Sequence, residues 1–244
     1  MPPQEVLILA MSNMLSGICT AGFTLEPDSV TGLRWVRPCR DFGTLLPGDM
    51  TAANGRLVQC SDVVALNLLR PRPDPPHVED WVTDFVHRRP RLLRRLEGEK
   101  RARFFATYLD RAPADVLVHH TRSLCLVQPE RVWARFSLDA YSGKYEARMG
   151  FVLAGDVNHP RATSANGISV TDLKWRALGR AWLGEQGGSM MLDYDALRQR
   201  LDAETIYLAL GLSRNWQGQY WPLVVGVHVV PDHEVSTLTP SPSP

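Results

Sequence analysis

The chain has 244 residues, of which 44% are apolar and 22% charged, and its formal net charge is +1. This length can bury one large or two small hydrophobic cores, and the composition is that of an ordinary globular protein. Because the total charge is near zero, any nucleic-acid site must come from local clustering of cations.

The amino terminus and the cysteines narrow the class of protein further. Residues 1–14, MPPQEVLILAMSNM, have no basic segment, so we do not expect a signal peptide. No apolar run approaches the roughly 20 residues of a membrane span, which predicts a cytoplasmic protein without a membrane partner. The cysteines have no C-x-x-C spacing and are expected to be buried thiols in a reducing compartment. They are Cys19, Cys39, Cys60 and Cys125.

The first third of the chain is predicted to be β. Strands are expected at residues 6–11, 17–25, 33–36 and 62–69, because these stretches are apolar or alternate between two faces. The segment EPDS before Gly32 has the composition of a turn, so the first three strands should form a meander.

A proline-rich connection, RPRPDPPHVED, follows, and its four prolines exclude regular structure. Two helical stretches are predicted next, between residues 88 and 110. Pro90 suits a first helical turn, and the apolar face of this stretch would be Leu92, Leu93 and Leu96. After Gly98, residues at helical spacing should pack on the core. They are Phe104, Phe105, Tyr108 and Leu109.

The second half is again mainly β. Strands are predicted at residues 123–127, 132–138, 145–153, 205–210 and 223–230. A helix is expected at 171–183, capped by Thr171 or Asp172, and a shorter one at 194–201. The chain ends in the Ser/Pro-rich sequence STLTPSPSP, which is typical of disorder.

Each half therefore contains several short strands and a helical segment. Five-stranded barrels with a helix between strands, of which the OB fold is an example, and a single mixed α+β sheet both fit this order. We expect a first domain at residues 1–118 with a helical insertion at about 88–110, a second at 119–232, and a disordered tail at 233–244.

Several short segments resemble one family. SGICTAGF, WVRP, VTDLKW and YLALGLS, with the proline-rich loop and its tryptophan, are similar to the bacterial dual OB-containing domain proteins over about residues 4–230. The matching residues are Ser16, Gly17, Cys19, Ala21, Gly22, Trp35, Arg37, Pro38, Thr171, Asp172, Leu210 and Gly211. The resemblance implies a mainly β (α+β) fold, with two OB-like barrels in tandem and helical insertions, and nucleic-acid binding. It implies no catalytic residues.

The segment GLRWVRPCR is the first candidate binding site. A strand places Trp35 and Arg37 on one face and Arg34 on the other. Either Trp35 and Arg37 form an exposed platform that stacks bases and contacts phosphates, or Trp35 faces the core and Pro38 ends the strand so that Arg37 lies at the rim. Arg34 and Arg40 are rim cations in both interpretations.

Three further segments carry candidate nucleic-acid contacts. HRRPRLLRRLEGEKRAR is the strongest basic run in the chain, although a solvated helix face has the same pattern. KWR could line a groove or place its tryptophan in the core, and NWQGQYW is either a binding loop or a cover for the barrel mouth. The candidates are Arg88, Arg89, Arg94, Arg95, Arg101, Lys174, Arg176, Trp216 and Tyr220.

Evidence for catalysis is sparse. Asp156 and His159 in AGDVNHP could form an acid–base pair, with His120 as a further candidate, but turns have the same composition. His228, alone among valines, is typical of a satisfied sheet residue. The sequence lacks the phosphate-loop, dinucleotide, nucleophile-elbow and HExxH motifs.

We therefore expect a nucleic-acid-binding protein that uses aromatic stacking and arginine–phosphate contacts, with single-stranded DNA or RNA as its partner. No metal or cofactor is expected. Two rival hypotheses are an enzyme that acts on nucleotides or nucleic acid through an Asp/His site, and an adaptor that binds a protein partner.

Overall fold

In a computed structural model, the described residues are 3–14, 16–27, 32–155, 157–184 and 187–232. They form fourteen strands, five α-helices and one 3-10 helix, Pro47–Met50. The strands are β1 (Gln4–Met14), β2 (Gly17–Thr24), β3 (Trp35–Cys39), β4 (Asp62–Leu66), β5 (Leu68–Pro71), β6 (Asp80–Thr83), β7 (Arg91–Arg95), β8 (Leu124–Val127), β9 (Arg131–Leu138), β10 (Tyr145–Val152), β11 (Ile168–Ser169), β12 (Gly188–Leu192), β13 (Thr205–Leu212) and β14 (Pro222–Val230). The α-helices are α1 (Gly98–Thr107), α2 (Ala114–Leu117), α3 (Pro160–Thr163), α4 (Leu173–Leu183) and α5 (Tyr194–Leu201).

Strands β1 to β6 close a first barrel. β1 pairs antiparallel with β2 and β4, and β2 pairs with β3. β6 then pairs parallel with β3 and antiparallel with β5. Since only Asn67 separates β4 from β5, these two act as one bent strand, and the ring has five members. Its interior is apolar and includes Val6, Ile8, Val36, Leu66 and Trp81.

A second barrel is built from two smaller sheets. One has the order β14-β13-β8 and the other β11-β10-β9-β12. A parallel bridge between Val170 and Val224 connects the two sheets beside β11, where Thr171 N donates to Val224 O at 2.9 Å. A second core, with Phe136, Phe151 and Leu208, lies between the sheets. The expected mainly β fold of two OB-like barrels in tandem is confirmed.

The two barrels pack against each other through a third apolar cluster. β1 is buried on both faces, because Val6 and Ile8 point into the first barrel while Leu7 and Leu9 point toward the second. On the other side, Tyr207 of β13 stacks on Phe105 of α1, with ring centroids 5.2 Å apart. The period of two therefore explains why β1 is apolar without interruption.

Close polar contacts complete the packing between the barrels. The ring of His228 is hydrogen bonded through Nε2 to Leu9 O at 2.9 Å. A Cβ atom on Gly226 would lie 2.3 Å from the same carbonyl, so only glycine allows this approach. Farther along, the Glu79 carboxylate accepts hydrogen bonds from the N–H groups of Ser123 and Leu124 at 2.8 and 3.0 Å. Strand β8 is thereby fixed to the first barrel.

The first of the two helical stretches predicted between residues 88 and 110 is wrong. Residues 91–95 form β7, which pairs antiparallel with β4. Leu92 packs against the first core and Leu93 against the cluster between the barrels, so their side chains alternate as in a strand. The free edge of β4 decides the conformation, because it offers backbone partners that the local sequence does not reveal. Only α1 is helical here.

Other boundaries agree within a few residues, and Asp172 caps α4 by accepting from Trp175 N. The short strands β6, β11 and β12 were not predicted. The domain boundary at 118/119 stays a prediction, and the tail at 233–244 lies outside the described residues. In the part of the chain that the structure describes, no helix has both the length and the apolar character needed to cross a membrane.

The buried His228 should make the packing between the barrels sensitive to acid. Burial, followed by the charge of Arg101, lowers its pKa to about 3, whereas an unfolded histidine has a pKa near 6.5. Only the unfolded state takes up the proton between these values. The stability contributed by the neutral ring is therefore complete above about pH 6.5 and is lost as the pH falls toward 3.

We expect His228→Gln to reduce the pH dependence of the unfolding free energy by up to about 1.4 kcal/mol per pH unit between about pH 4 and pH 6. Glutamine keeps a donor for the Leu9 carbonyl but does not titrate. Urea unfolding of both proteins across this range measures the difference. His77, whose pKa is also lowered to about 3 by burial, should leave a residual slope in both. Identical slopes would contradict the prediction.

Candidate nucleic-acid interface

The predicted platform on β3 is not exposed. Trp35 and Arg37 share the outer face of the first barrel, as the strand period requires, but their exposed fractions are only 3% and 5%. Phe23 contacts Trp35 edge to face at 4.6 Å and Phe104 of α1 at 5.7 Å. Phe23 and helix α1 therefore cover Trp35, and the exposed platform is wrong. Trp35 is buried, as in the second interpretation, but Arg37 is buried as well and does not lie at the rim.

Arg37 is buried because it has a carboxylate partner from a distant strand. Its Nε donates to Asp80 Oδ1, and the second oxygen of Asp80 accepts from Arg214 at 2.7 Å. The backbone N–H of Arg37 also donates to Glu79 O at 2.7 Å. Pairing of this kind offsets the large cost of removing a guanidinium from water.

Two arginines of the basic run at 87–103, Arg95 and Arg101, form ion pairs inside the molecule. Arg95, Arg101 and Lys174 all lie within 3.3–3.6 Å of the Asp232 carboxylate. Burial would raise the pKa of Asp232, but the cations lower it overall. Arg101 is only 3% exposed and also donates to Val229 O at 2.5 Å. These three cations hold α1, β7 and α4 against the end of β14.

The remaining cations of the run differ in their surroundings. Arg94 pairs with Glu5 at 2.8 Å. Arg88 and Arg89 are exposed and have no ion pair with any described residue. Arg91, Lys100 and Arg103 of the run are likewise exposed and have no ion pair with a described residue. Five of the eight Arg and Lys residues of the run therefore remain as surface charge, and Arg88 and Arg89 lie on a loop before β7. Arg40, the other predicted rim cation, lies outside this run and pairs with Asp49 at 2.7 Å.

Two other predicted arginines lie over aromatic rings. Arg34 lies 5.5 Å from the centroid of Tyr108, at the mouth of a small cleft of about 150 Å³ between α1 and the first sheet. Arg176 lies 5.0 Å from the centroid of Tyr145 and donates to Val170 O at 3.2 Å. Trp175 beside it is 3% exposed and belongs to the second core.

The loop at 213–221 joins β13 to β14 and presents one aromatic ring to solvent. Gln217 and Gly218 both have positive φ, 52° and 80°, which is the geometry of a two-residue hairpin turn. Trp216 at its base is 68% exposed. Tyr220 instead lies against the first barrel, where its hydroxyl donates to Pro75 O at 3.3 Å.

The histidine candidates have structural contacts. His159 caps α3, since its Nδ1 accepts from Arg161 N at 3.2 Å. Burial, then Arg161 and His120, lower the pKa of His159. The ring of His120 lies 6.0 Å from that of Tyr220. Asp156 lies outside the described residues, so the catalytic pair stays a prediction. The described ranges contain no group of three His, Cys, Asp or Glu side chains able to hold a metal.

A basic and aromatic face that sequence reasoning missed lies on β9. Val132, Ala134 and Phe136 point into the second core. The intervening side chains point outward, and two of them are exposed arginines. We call this outer face of β9 and the adjoining part of β10 the arginine–tryptophan face, and its residues are Arg131, Trp133, Arg135 and Arg148. The period of two in RVWARF carries this signal in the sequence.

Trp133 is held in a defined position on this face. It lies directly opposite Gly150 of β10. A Cβ atom on Gly150 would lie 2.0 Å from the indole ring, so the ring lies over the glycine backbone. The indole N–H donates to Ala165 O at 3.2 Å. A cross-strand glycine and one hydrogen bond thus fix the ring.

The arginines of the face form no ion pair with a described residue, although the nearby Glu146 carboxylate interacts electrostatically with Arg148 and Arg135. Arg148 donates to Asn166 O at 2.9 Å and to Gly167 O at 2.7 Å, both neutral carbonyls. Among the described residues, neither it nor the other two arginines of the face forms an ion pair. Glu146 on β10 instead pairs with Lys144 at 2.8 Å. That hydrogen bond is the main reason why the pKa of Glu146 is lowered.

Comparison with known proteins places the whole architecture. A family model described as the dual OB-containing domain matches residues 4–227, nearly the entire chain. The chain belongs to the dual OB-containing domain family. No curated protein and no solved structure shows significant similarity to it. Membership indicates nucleic-acid or oligonucleotide binding in general terms.

The OB assignment gives the arginine–tryptophan face a place in the fold. OB folds bind oligonucleotides and oligosaccharides on the face of their second and third strands and with the loop between the fourth and fifth. In the second barrel these elements are β9 and β10 and the loop at 213–221. The corresponding strands of the first barrel, β2 and β3, are the ones that α1 covers. Among the described residues, this face is more open in the second barrel, where Arg131 and Arg135 are exposed.

A shallow cavity of about 370 Å³ adjoins Trp133 on the same face. It lies between β12 and the loop that follows α3, and its lining residues are Arg135, Ala165, Asn166, Ser189, Met190 and Met191. Arg135 donates to Asn166 Oδ1 at 3.0 Å across its floor. Polar and apolar groups therefore meet in one concave site beside a fixed aromatic ring.

We expect Asp80→Ala to lower the unfolding free energy by about 3–5 kcal/mol, because it leaves the buried Arg37 charge without a partner. Asp41→Ala is the matched control, since Asp41 pairs with Arg70 at the surface and such pairs contribute about 0–1 kcal/mol. Urea unfolding of the three proteins measures both effects. Equal losses in the two variants would contradict the structural role assigned to Asp80.

Proposed function

We propose that this protein binds single-stranded DNA or RNA on the arginine–tryptophan face of its second barrel. One observation carries the proposal: Trp133 lies between Arg131 and Arg135 on an open strand face, and these arginines have no carboxylate partner among the described residues. The position of the face within the OB fold supports the same function.

The aromatic ring suits an unpaired base. A nucleobase stacked on an aromatic side chain contributes about 1–3 kcal/mol. Because Gly150 and Ala165 already fix the indole of Trp133, little side-chain entropy is lost when a base stacks on it. Bases in a duplex are stacked on one another, so this contact favours a single strand. The exposed Trp216 offers a second ring.

The arginines suit the phosphates that accompany such a base. Residues two apart on an antiparallel strand lie roughly 7 Å from each other, so Arg131 and Arg135 flank Trp133 on either side. A guanidinium can bind phosphate through two parallel hydrogen bonds. Arg148 on the neighbouring strand lies directly opposite Arg135 and adds to the positive field across the face.

Trp133→Leu should weaken binding of a labelled oligonucleotide of about twelve nucleotides by about tenfold, because leucine still covers Gly150 but cannot stack a base. Fluorescence anisotropy at low salt measures the affinity. Phe42→Leu is the control, since Phe42 is an aromatic residue of the first barrel that is 85% exposed. Absence of binding by the wild-type protein would overturn the proposed function. Equal affinities of wild type and Trp133→Leu would remove the face from it.

Arg131→Ala should make binding less sensitive to salt. Each arginine–phosphate contact with a single strand contributes about 0.7 to the slope of log K against log salt concentration, so the variant should lose about that amount between roughly 50 and 200 mM salt. Arg88→Ala is the control, because Arg88 is exposed, has no ion pair with a described residue and lies off the face. An unchanged slope in Arg131→Ala would contradict the phosphate contact.

A further inference from the structure

We propose that the cavity beside Trp133 recognises guanine, and that Arg135 reads the O6 and N7 acceptors of that base. This inference rests on the proposed function, because the base must arrive as part of a bound single strand. It adds a preference that neither the fold nor the family membership assigns.

The dimensions and walls of the cavity suit a flat base. Its volume is about 370 Å³, and Met190, Met191 and Ala165 are among the residues that line it. Met191 is 61% exposed, so it can adjust to a ring placed against it, as flexible thioethers do. A small number of polar groups on an otherwise apolar wall is the usual composition of a site that binds a small ring system.

Three acceptors beside the cavity are already used. Ala165 O accepts from the Trp133 indole, and Asn166 O accepts from Arg148. The side-chain oxygen of Asn166 accepts from Arg135 Nη1. A guanidinium can only donate, so this contact also fixes the orientation of the amide: Oδ1 faces Arg135 and Nδ2 faces away from it.

The groups of Arg135 and Asn166 that remain unused are donors. Asn166 uses one of the five N–H groups of the Arg135 guanidinium. In the described part of the chain, the others have no partner, and neither has Asn166 Nδ2. The Ser189 hydroxyl can also donate. The unused donors of Arg135 and Asn166 therefore favour a ligand edge that consists of acceptors.

Guanine presents that edge. Its O6 and N7 are two adjacent acceptors, whereas adenine presents N7 beside the N6 amino donor. An arginine fork paired with guanine O6 and N7 is the commonest specific contact in protein–DNA complexes, and such a pair discriminates strongly against the wrong base. Asn166 holds one arm of the Arg135 fork and thereby positions the other N–H groups for the base.

The test uses a labelled strand of about twelve nucleotides with a single base X and abasic sugars elsewhere, so that only X can enter the cavity. X is guanine, hypoxanthine, 7-deazaguanine, adenine or absent. We expect guanine and hypoxanthine to bind about tenfold more tightly than adenine, because both carry O6 and N7. We also expect 7-deazaguanine, which lacks N7, to lose much of that advantage.

Two variants locate the preference. Arg135→Lys keeps the charge but removes the fork, so it should abolish the guanine preference while the strand without a base still binds. Arg131→Lys is the matched control on the same strand and should retain the preference. Equal affinity for guanine and adenine in the wild type, or a preference that survives Arg135→Lys, would overturn the inference and leave single-strand binding intact. Failure of every strand to bind would overturn the proposed function and this inference together.

Discussion

The burial of both faces of β1 decides which surfaces of this molecule are free. Leu7 and Leu9 lie on the outer side of the first barrel, where they pack in one apolar cluster with residues of α1 and of the second barrel. Trp35 of β3 belongs to the same cluster. Apart from a cleft of about 150 Å³ beside Arg34, these elements are closely packed. The outer sides of β2 and β3 are therefore used mainly for packing, and the more open strand face belongs to the second barrel.

The arginines are likewise divided between the buried interior and the exposed face of the second barrel. Arg37, Arg101 and Arg122 are buried, and each lies beside a carboxylate, from Asp80, Asp232 and Asp110 respectively. Such pairs fix how elements from distant parts of the chain meet, but they leave little field at the surface. The arginines of the arginine–tryptophan face form no ion pair with a described residue, and the hydrogen bonds of Arg135 and Arg148 go to neutral oxygens. A protein with a net charge of +1 can therefore present a local basic face, because several of its other cations are paired with carboxylates in place.

The sequence was sufficient for the positions of most strands and helices, because strand periodicity and cap residues are local. The tandem barrels were expected from the family resemblance, since the order of elements also fitted a single mixed sheet. The sequence was not sufficient to predict the surroundings of Trp35 and Arg37. The partner of Arg37 is 43 residues away, and the strand character of β7 depends on the free edge of β4, so neither is visible in a local pattern. The arginine–tryptophan face, in contrast, could have been predicted from the sequence. The alternation of Arg131, Trp133 and Arg135 with apolar residues was present in the sequence, and it needed only the period of two that had been applied to β3.

Trp133 shows how one contact can serve both the sheet and a ligand. A glycine such as Gly150 weakens a strand, and an aromatic ring laid across it restores the lost packing. That requirement alone would fix the ring, with one face on the backbone and an edge hydrogen bonded to Ala165. The structural contact occupies only the lower face of the ring. Because its orientation is already set by the fold, a base that stacks on the other face gains contact area without paying to order the side chain, and the same residue pair that stabilises the sheet prepares the site.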